Sequence, residues 1–141
     1  MKIKNKEKIN KNYTLSQWER RVVVFKFIYS LLIDEFLNDK DIEKKIEKEL
    51  PNDIYILSIV KDFINNKIEY FKLLQDNLKD TWKINRLDYV DRAIIFSAIC
   101  EYNVHKIDKK ILIDQAIITS KKYGTDSSYK FINFILDKVM K

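Results

Sequence analysis

WERRVVVFKFIYSLLIDEF, residues 18–36, reads as one helix. Large apolar side chains recur at Trp18, Val22, Phe25, Tyr29, Leu32 and Phe36 in alternating steps of four and three, the helical period. Val24, Phe27, Ile28 and Leu31 make the opposite side apolar as well, and between Val22 and Ile33 the only charge is Lys26. A helix apolar all round must be enclosed by other helices, so this one is expected to be a spine of the fold. Its first turn carries Glu19, Arg20 and Arg21, expected to project from an end that the core does not cover.

Outward from this helix the chain continues in the same style. On the N-terminal side, Thr14 or Ser16 is the expected helix cap, and the lysine-rich residues 1–13 hold too few apolar groups to offset their ordering entropy, which predicts a basic flexible tail. On the other side, Asn38 to Glu49 is charged nearly throughout, with only Ile42 and Ile46 to dock, and reads as a peripheral helix closed by Pro51. Ile54, Leu57, Val60 and Ile64 form one stripe, and Ile68, Phe71, Leu74 and Leu78 another. Pattern alone leaves residues 52–79 open between one helix and two. Trp82 to Leu87 reads as a loop, and LDYVDRAIIFSAICEY (87–102) as a second core helix, with Asp88 one turn from Arg92. ILIDQAIITSKKY (111–123) ends at Gly124, the only glycine, expected to be a C-cap with positive φ. Thr125 or Asp126 is the expected cap of a last helix burying Phe131, Ile132, Ile135, Leu136 and Val139.

Composition narrows the class. One Gly and one Pro in 141 residues leave little material for hairpin turns, so the fold class is all-α. The longest apolar run is about twelve residues against the roughly twenty that span a bilayer, so no membrane segment is expected and the protein should be cytoplasmic. The single Cys100 sits in an apolar run and reads as a buried hydrophobe. His105 is the only histidine, with no ligand set or nucleophile beside it, so neither a metal, a cofactor nor a catalytic site is expected. With 27 basic against 21 acidic side chains the formal charge is +6, which favours polyanions without naming one.

Three stretches together resemble the NusB family of transcription antitermination factors. KKYGTDSSYKFINFILDKV (121–139) is similar to the family's C-terminal signature through Tyr123, Gly124, Asp126, Ser128, Lys130, Phe131, Asn133, Leu136, Asp137 and Lys138. Leu87 to Tyr102 is similar to another family helix, with Asp91, Ala93, Ile94 and Glu101 in place. RRVVVFKFIY (20–29) stands where the family has the arginine-rich start of its first helix. Trp18 and Glu19 stand where the family has further arginines, Ser127 where many members carry an acid, and Phe134 where it has glycine.

The resemblance implies about seven helices in two small subdomains sharing a central first helix, one domain over 14–141. It implies a noncatalytic factor that binds single-stranded boxA-type RNA of rRNA operon leaders with the ribosomal protein NusE, and through it reaches the RNA polymerase elongation complex. The family includes monomers and homodimers. Carried onto this chain, the expected RNA-binding residues are Arg20, Arg21, Lys26, Ser127, Ser128, Lys130 and Phe131, on two helix starts that the family brings together, and the expected partner-binding residues are Tyr29 and Asp91. Phe131 and Tyr29 also lie on apolar stripes, so core packing stays open for both. A helical protein-interaction module that has lost specific RNA binding is the alternative.

Overall fold

Seven helices make up most of the described residues of the computed structural model, which are 14–78, 87–125 and 127–141. The tail at 1–13, the loop from Trp82 to Arg86 and a cap at Asp126 lie outside them. The helices are α1 (Gln17–Ile33), α2 (Asp39–Glu49), α3 (Ile54–Asn65), α4 (Lys67–Asp76), α5 (Tyr89–His105), α6 (Lys109–Tyr123) and α7 (Ser128–Val139). The described residues contain no strand, as the composition predicts. No helix among them is long and apolar enough to cross a membrane.

Ser16 caps α1 in a reciprocal box: its hydroxyl accepts from the Glu19 N–H, and the Glu19 carboxylate accepts from the Ser16 N–H. Glu19 is therefore a cap residue. The helix stops at Ile33, before the expected Phe36, which is 92% exposed. Asp34 and Glu35 follow directly, and acids at a helix C-terminus meet the negative end of its dipole. Six residues of α1 are buried, Val24, Phe25, Phe27, Ile28, Leu31 and Leu32.

The most enclosed helix is α5, which packs against α1, α3, α6 and α7. Its apolar run from Ala93 to Cys100 is buried except for Ser97. Phe96 lies 5.4 Å from Phe63 of α3 and 4.9 Å from Phe71 of α4, ring to ring, so the core joins both halves of the chain. Cys100 is fully buried, and burial pushes its thiol pKa up.

The described part of residues 52–79 forms two helices because Asn66, between them, turns its side chain back onto the Asp62 carbonyl (3.1 Å) and carboxylate (3.0 Å), a local bond that competes with the helix backbone. The two predicted stripes shift with it. Ile54 and Ile68 are 83% and 81% exposed, and the buried face of α3 is Ile56, Ile59, Val60 and Phe63. Before Pro51, Leu50 takes the extended backbone that a following proline favours, and Asp53 caps α3 through the Ile56 N–H.

Gly124 ends α6 as expected, but with φ −94° and ψ −169°, not positive φ. Space is the reason: a Cβ there would stand 2.7 Å from Ser128 Oγ and 2.8 Å from the Ser120 carbonyl oxygen. The described residue with positive φ is Lys106, which closes α5. Arg92 does not pair with Asp88; its Nε donates to the Leu87 carbonyl and its guanidinium lies over Tyr89.

Candidate nucleic-acid interface

The first turn of α1 holds two guanidiniums in different states. Arg20 Nε donates to Asp53 at 2.8 Å and Nη1 to Gln17 at 2.9 Å, with the guanidinium 6.0 Å from the Tyr55 ring centre. About a quarter of its side chain is exposed (23%). Arg21 does not project. It grips Glu101 through three contacts of 3.0–3.1 Å and reaches Gln115 at 3.3 Å.

Glu101 is 3% exposed and also accepts a hydrogen bond from the Tyr55 hydroxyl. Burial first, and the bond and charge of Glu101 next, push the Tyr55 phenol up to about 12, so it stays a donor throughout the neutral range. Such a desolvated, fork-to-carboxylate pair holds helices together. Arg21, Glu101 and Gln115 line, with Phe25, Ser97 and Thr119, a cavity of about 30 Å³, room for a water or two. The expectation that Arg21 offers a free cation is therefore corrected: a carboxylate 80 residues away has taken it.

His105 belongs to the same end of the molecule. Its ring stacks on Tyr55 at 3.7 Å and its Nε2 lies 2.9 Å from the Ser58 hydroxyl, a packing role between α3 and α5.

Farther along α1 the cations meet rings instead of carboxylates. Lys26 is exposed, and its Nζ stands 5.3 Å from the Tyr123 ring centre. Lys122 approaches the same ring at 5.6 Å, and Lys121 lies over Tyr129 at 4.7 Å. Phe25 supports Tyr123 from beneath the surface at 5.4 Å, and Tyr29 continues the aromatic row 6.5 Å from Phe25. Ser127 and Lys130 are exposed beside this group, while Phe131 is half-buried against the core. Tyr123 and Tyr129 are half-buried, and cations over rings that keep some surface are the pairing that single-stranded nucleic acid exploits, phosphates on the charges and bases on the rings.

The meeting of the two helix starts is displaced from expectation. Long side chains of α6 reach α1 at two levels: Gln115 meets Arg21, and Tyr123 meets Phe25 and Lys26. The α6–α7 corner thus meets α1 at Lys26, five residues and about 7.5 Å along the α1 axis from Arg21.

Two expected site residues face inward. Ser128 is buried, its hydroxyl shared between Ser120 Oγ (2.9 Å) and the Thr125 carbonyl (3.1 Å), so it builds the corner and does not offer itself to a ligand. Asp91 is 8% exposed with one carboxylate oxygen lacking a partner. Burial first, then the charge of Asp88, raises its pKa, and the neighbouring Ser128 hydroxyl pulls the other way. Asp91 sits against Ser128 at the start of α7 with little surface left for a partner, and Tyr29 is half-buried.

Comparison with known proteins fits this architecture. The NusB family model matches residues 19–141. The chain belongs to the NusB family. A transcription antitermination protein NusB of Borreliella burgdorferi is 33% identical over 135 residues, covering 87% of this chain and 92% of that protein. Among solved structures, a T. maritima NusB superposes with a TM-score of 0.78 at 26% identity, covering 91% of this chain and 92% of that one. A complex of the antitermination factors NusB and NusE with dsRNA gives 0.70 at 19% identity, covering 89% and 98%, a likeness of fold. On the NusB frame, the corner gains four residues that were not among the expected binding residues: Lys121, Lys122, Tyr123 and Tyr129. Their signal was present, two lysines ending a helix against aromatics on either side of Gly124. Lacking was knowledge of which rings stay at the surface.

Proposed function

We propose that this chain is a noncatalytic transcription antitermination factor that holds single-stranded, boxA-type RNA of rRNA operon leaders together with the ribosomal protein NusE. The observation that carries the proposal is the family match across residues 19–141; the relatives it resembles are antitermination proteins. The cation-and-ring surface at the α6–α7 corner supports it independently. In this reading Lys26, Lys121, Lys122 and Lys130 take phosphates, Tyr123 and Tyr129 take bases, and Ser127 adds a polar contact. Arg20 contributes from the margin, Phe131 backs the surface, and Arg21 and Ser128 position it.

Tyr29 is the residue we assign to the protein partner, at the far end of the aromatic row. The chain acts as one NusB-like domain over 14–141 in the cytoplasm and reaches RNA polymerase through its partner. Self-association is a separate property that sedimentation would read directly.

Fluorescence anisotropy with boxA-like and scrambled RNA, with and without NusE, tests the reading. Specific binding strengthened by NusE is expected, with about five phosphate contacts giving a slope near −3.5 in log affinity against log salt, roughly a hundredfold between 50 and 200 mM. Equal weak binding to both RNAs, unchanged by NusE, would support the second reading, a protein-interaction module without RNA recognition. What favours that reading is the loss of Arg21 to Glu101.

A further inference from the structure

The outer face of α7 carries an aromatic with no structural duty. Phe134 is 53% exposed, while Ile132, Ile135 and Leu136 on the opposite side are fully buried. At about 100° per residue, Ser127, Lys130, Phe134 and Lys138 fall within an arc of roughly 80°. Each step of four along this row advances about 6 Å, so an exposed ring stands between an exposed lysine one turn before it and another one turn after.

Lys138 Nζ lies 5.6 Å from the Phe134 ring centre and 3.2 Å from the Asn77 carbonyl, which holds the ammonium beside the ring. The acid bordering the row, Asp137, is engaged by Lys109 at 3.1 Å, so Lys130 and Lys138 set the sign of this strip. The row begins at Ser127, inside the corner described above, and Phe134 lies about 10 Å farther along the axis.

We infer that the RNA surface continues along this row, with Phe134 as the platform for one more unpaired base and Lys130 and Lys138 as phosphate contacts on either side of it. The inference rests on the RNA reading proposed above and adds a subsite to it. An aromatic flanked by cations suits a base with its phosphates. Continuity with the corner supplies the strand, and the buried opposite face fixes the ring's direction. The subsite is tolerant of base identity, because every base has a face to stack.

Two RNAs separate this from the corner itself: a short boxA-like core, and the same core extended by several nucleotides at either end. Anisotropy titrations with NusE present would compare wild type, Phe134→Ala, Phe134→Trp and Lys138→Gln. The wild type should bind one extended RNA more tightly than the core. Phe134→Ala should lose that gain, about tenfold, with core binding unchanged, while Phe134→Trp keeps it and Lys138→Gln loses part of it. Because the ring is exposed, Phe134→Ala should melt at the wild-type temperature.

Extended and core RNAs binding wild type alike, or Phe134→Ala matching wild type on both, would overturn the subsite and leave the corner standing. Loss of NusE binding by Phe134→Ala in the absence of RNA would overturn it in favour of a protein contact. If neither RNA bound wild type at all, the RNA reading and the subsite would fall together.

Discussion

The first turn of α1 and the α6–α7 corner are both lysine- or arginine-rich helix ends, yet their cations meet opposite fates. At the first turn, Arg20 faces Asp53 and Arg21 faces Glu101, so charge is cancelled within the fold. At the corner, Lys26, Lys121 and Lys122 lie against tyrosine rings, and a ring attracts a cation without neutralising it. A basic helix start is therefore not in itself a polyanion site. What separates the two ends is whether a carboxylate from a distant part of the chain arrives to claim the charge.

The largest effect that would break this contrast is at Arg21. Arg21→Ala leaves Glu101 buried and unpaired, which should cost about 3–5 kcal/mol in urea or guanidinium unfolding, a large share of a small domain's stability. Arg21→Met combined with Glu101→Leu should regain most of it. A loss below about 1 kcal/mol in the single variant would mean that the pair is not holding α1 to α5.

Gly124→Ala comes next. Its Cβ would press on the Ser120 carbonyl and the Ser128 hydroxyl, and overpacking of this kind costs roughly 1–3 kcal/mol; RNA affinity should fall as the corner shifts. Arg20→Gln should do less, under about 1 kcal/mol by the same unfolding experiment, because its pair with Asp53 is partly exposed.

Asp91→Asn sharpens the comparison through its sign. The folded pKa of Asp91 lies above its unfolded value of 3.8, so the folded state binds more protons as pH passes between the two, and its carboxylate disfavours folding at neutral pH. Thermal melts should show Asp91→Asn stabilising at pH 7, with the gain shrinking as pH falls through the folded pKa and gone below 3.8. A variant equally destabilised at every pH would contradict that account.

Much of the fold was legible in sequence because helical periods report burial directly. The α1 and α5 runs were read from their apolar residues, the peripheral α2 from its charge, and the stop at Gly124 from a lone glycine after two lysines. The end of α1 at Ile33 was missed because the apolar period continues to Phe36 while the acids between break the helix. The site was half legible. Lys26, Ser127 and Lys130 are exposed at one corner, as expected, but nothing local in Arg20-Arg21 says that Glu101, 80 residues on, will fold onto the second arginine. Asp91 and Ser128 were misplaced for a related reason: polar side chains in a motif read as surface, and these two are packed between α5 and the α6–α7 corner.

In the proposed reading the corner's lysines hold the RNA, with Arg20 only at the margin. The slope of log affinity against log salt measures it most directly, comparing wild type with Lys26→Gln/Lys122→Gln/Lys130→Gln in the presence of NusE. Three lost phosphate contacts at about 0.7 each should reduce the slope from near −3.5 to near −1.4. An unchanged slope in the folded triple variant would contradict the account.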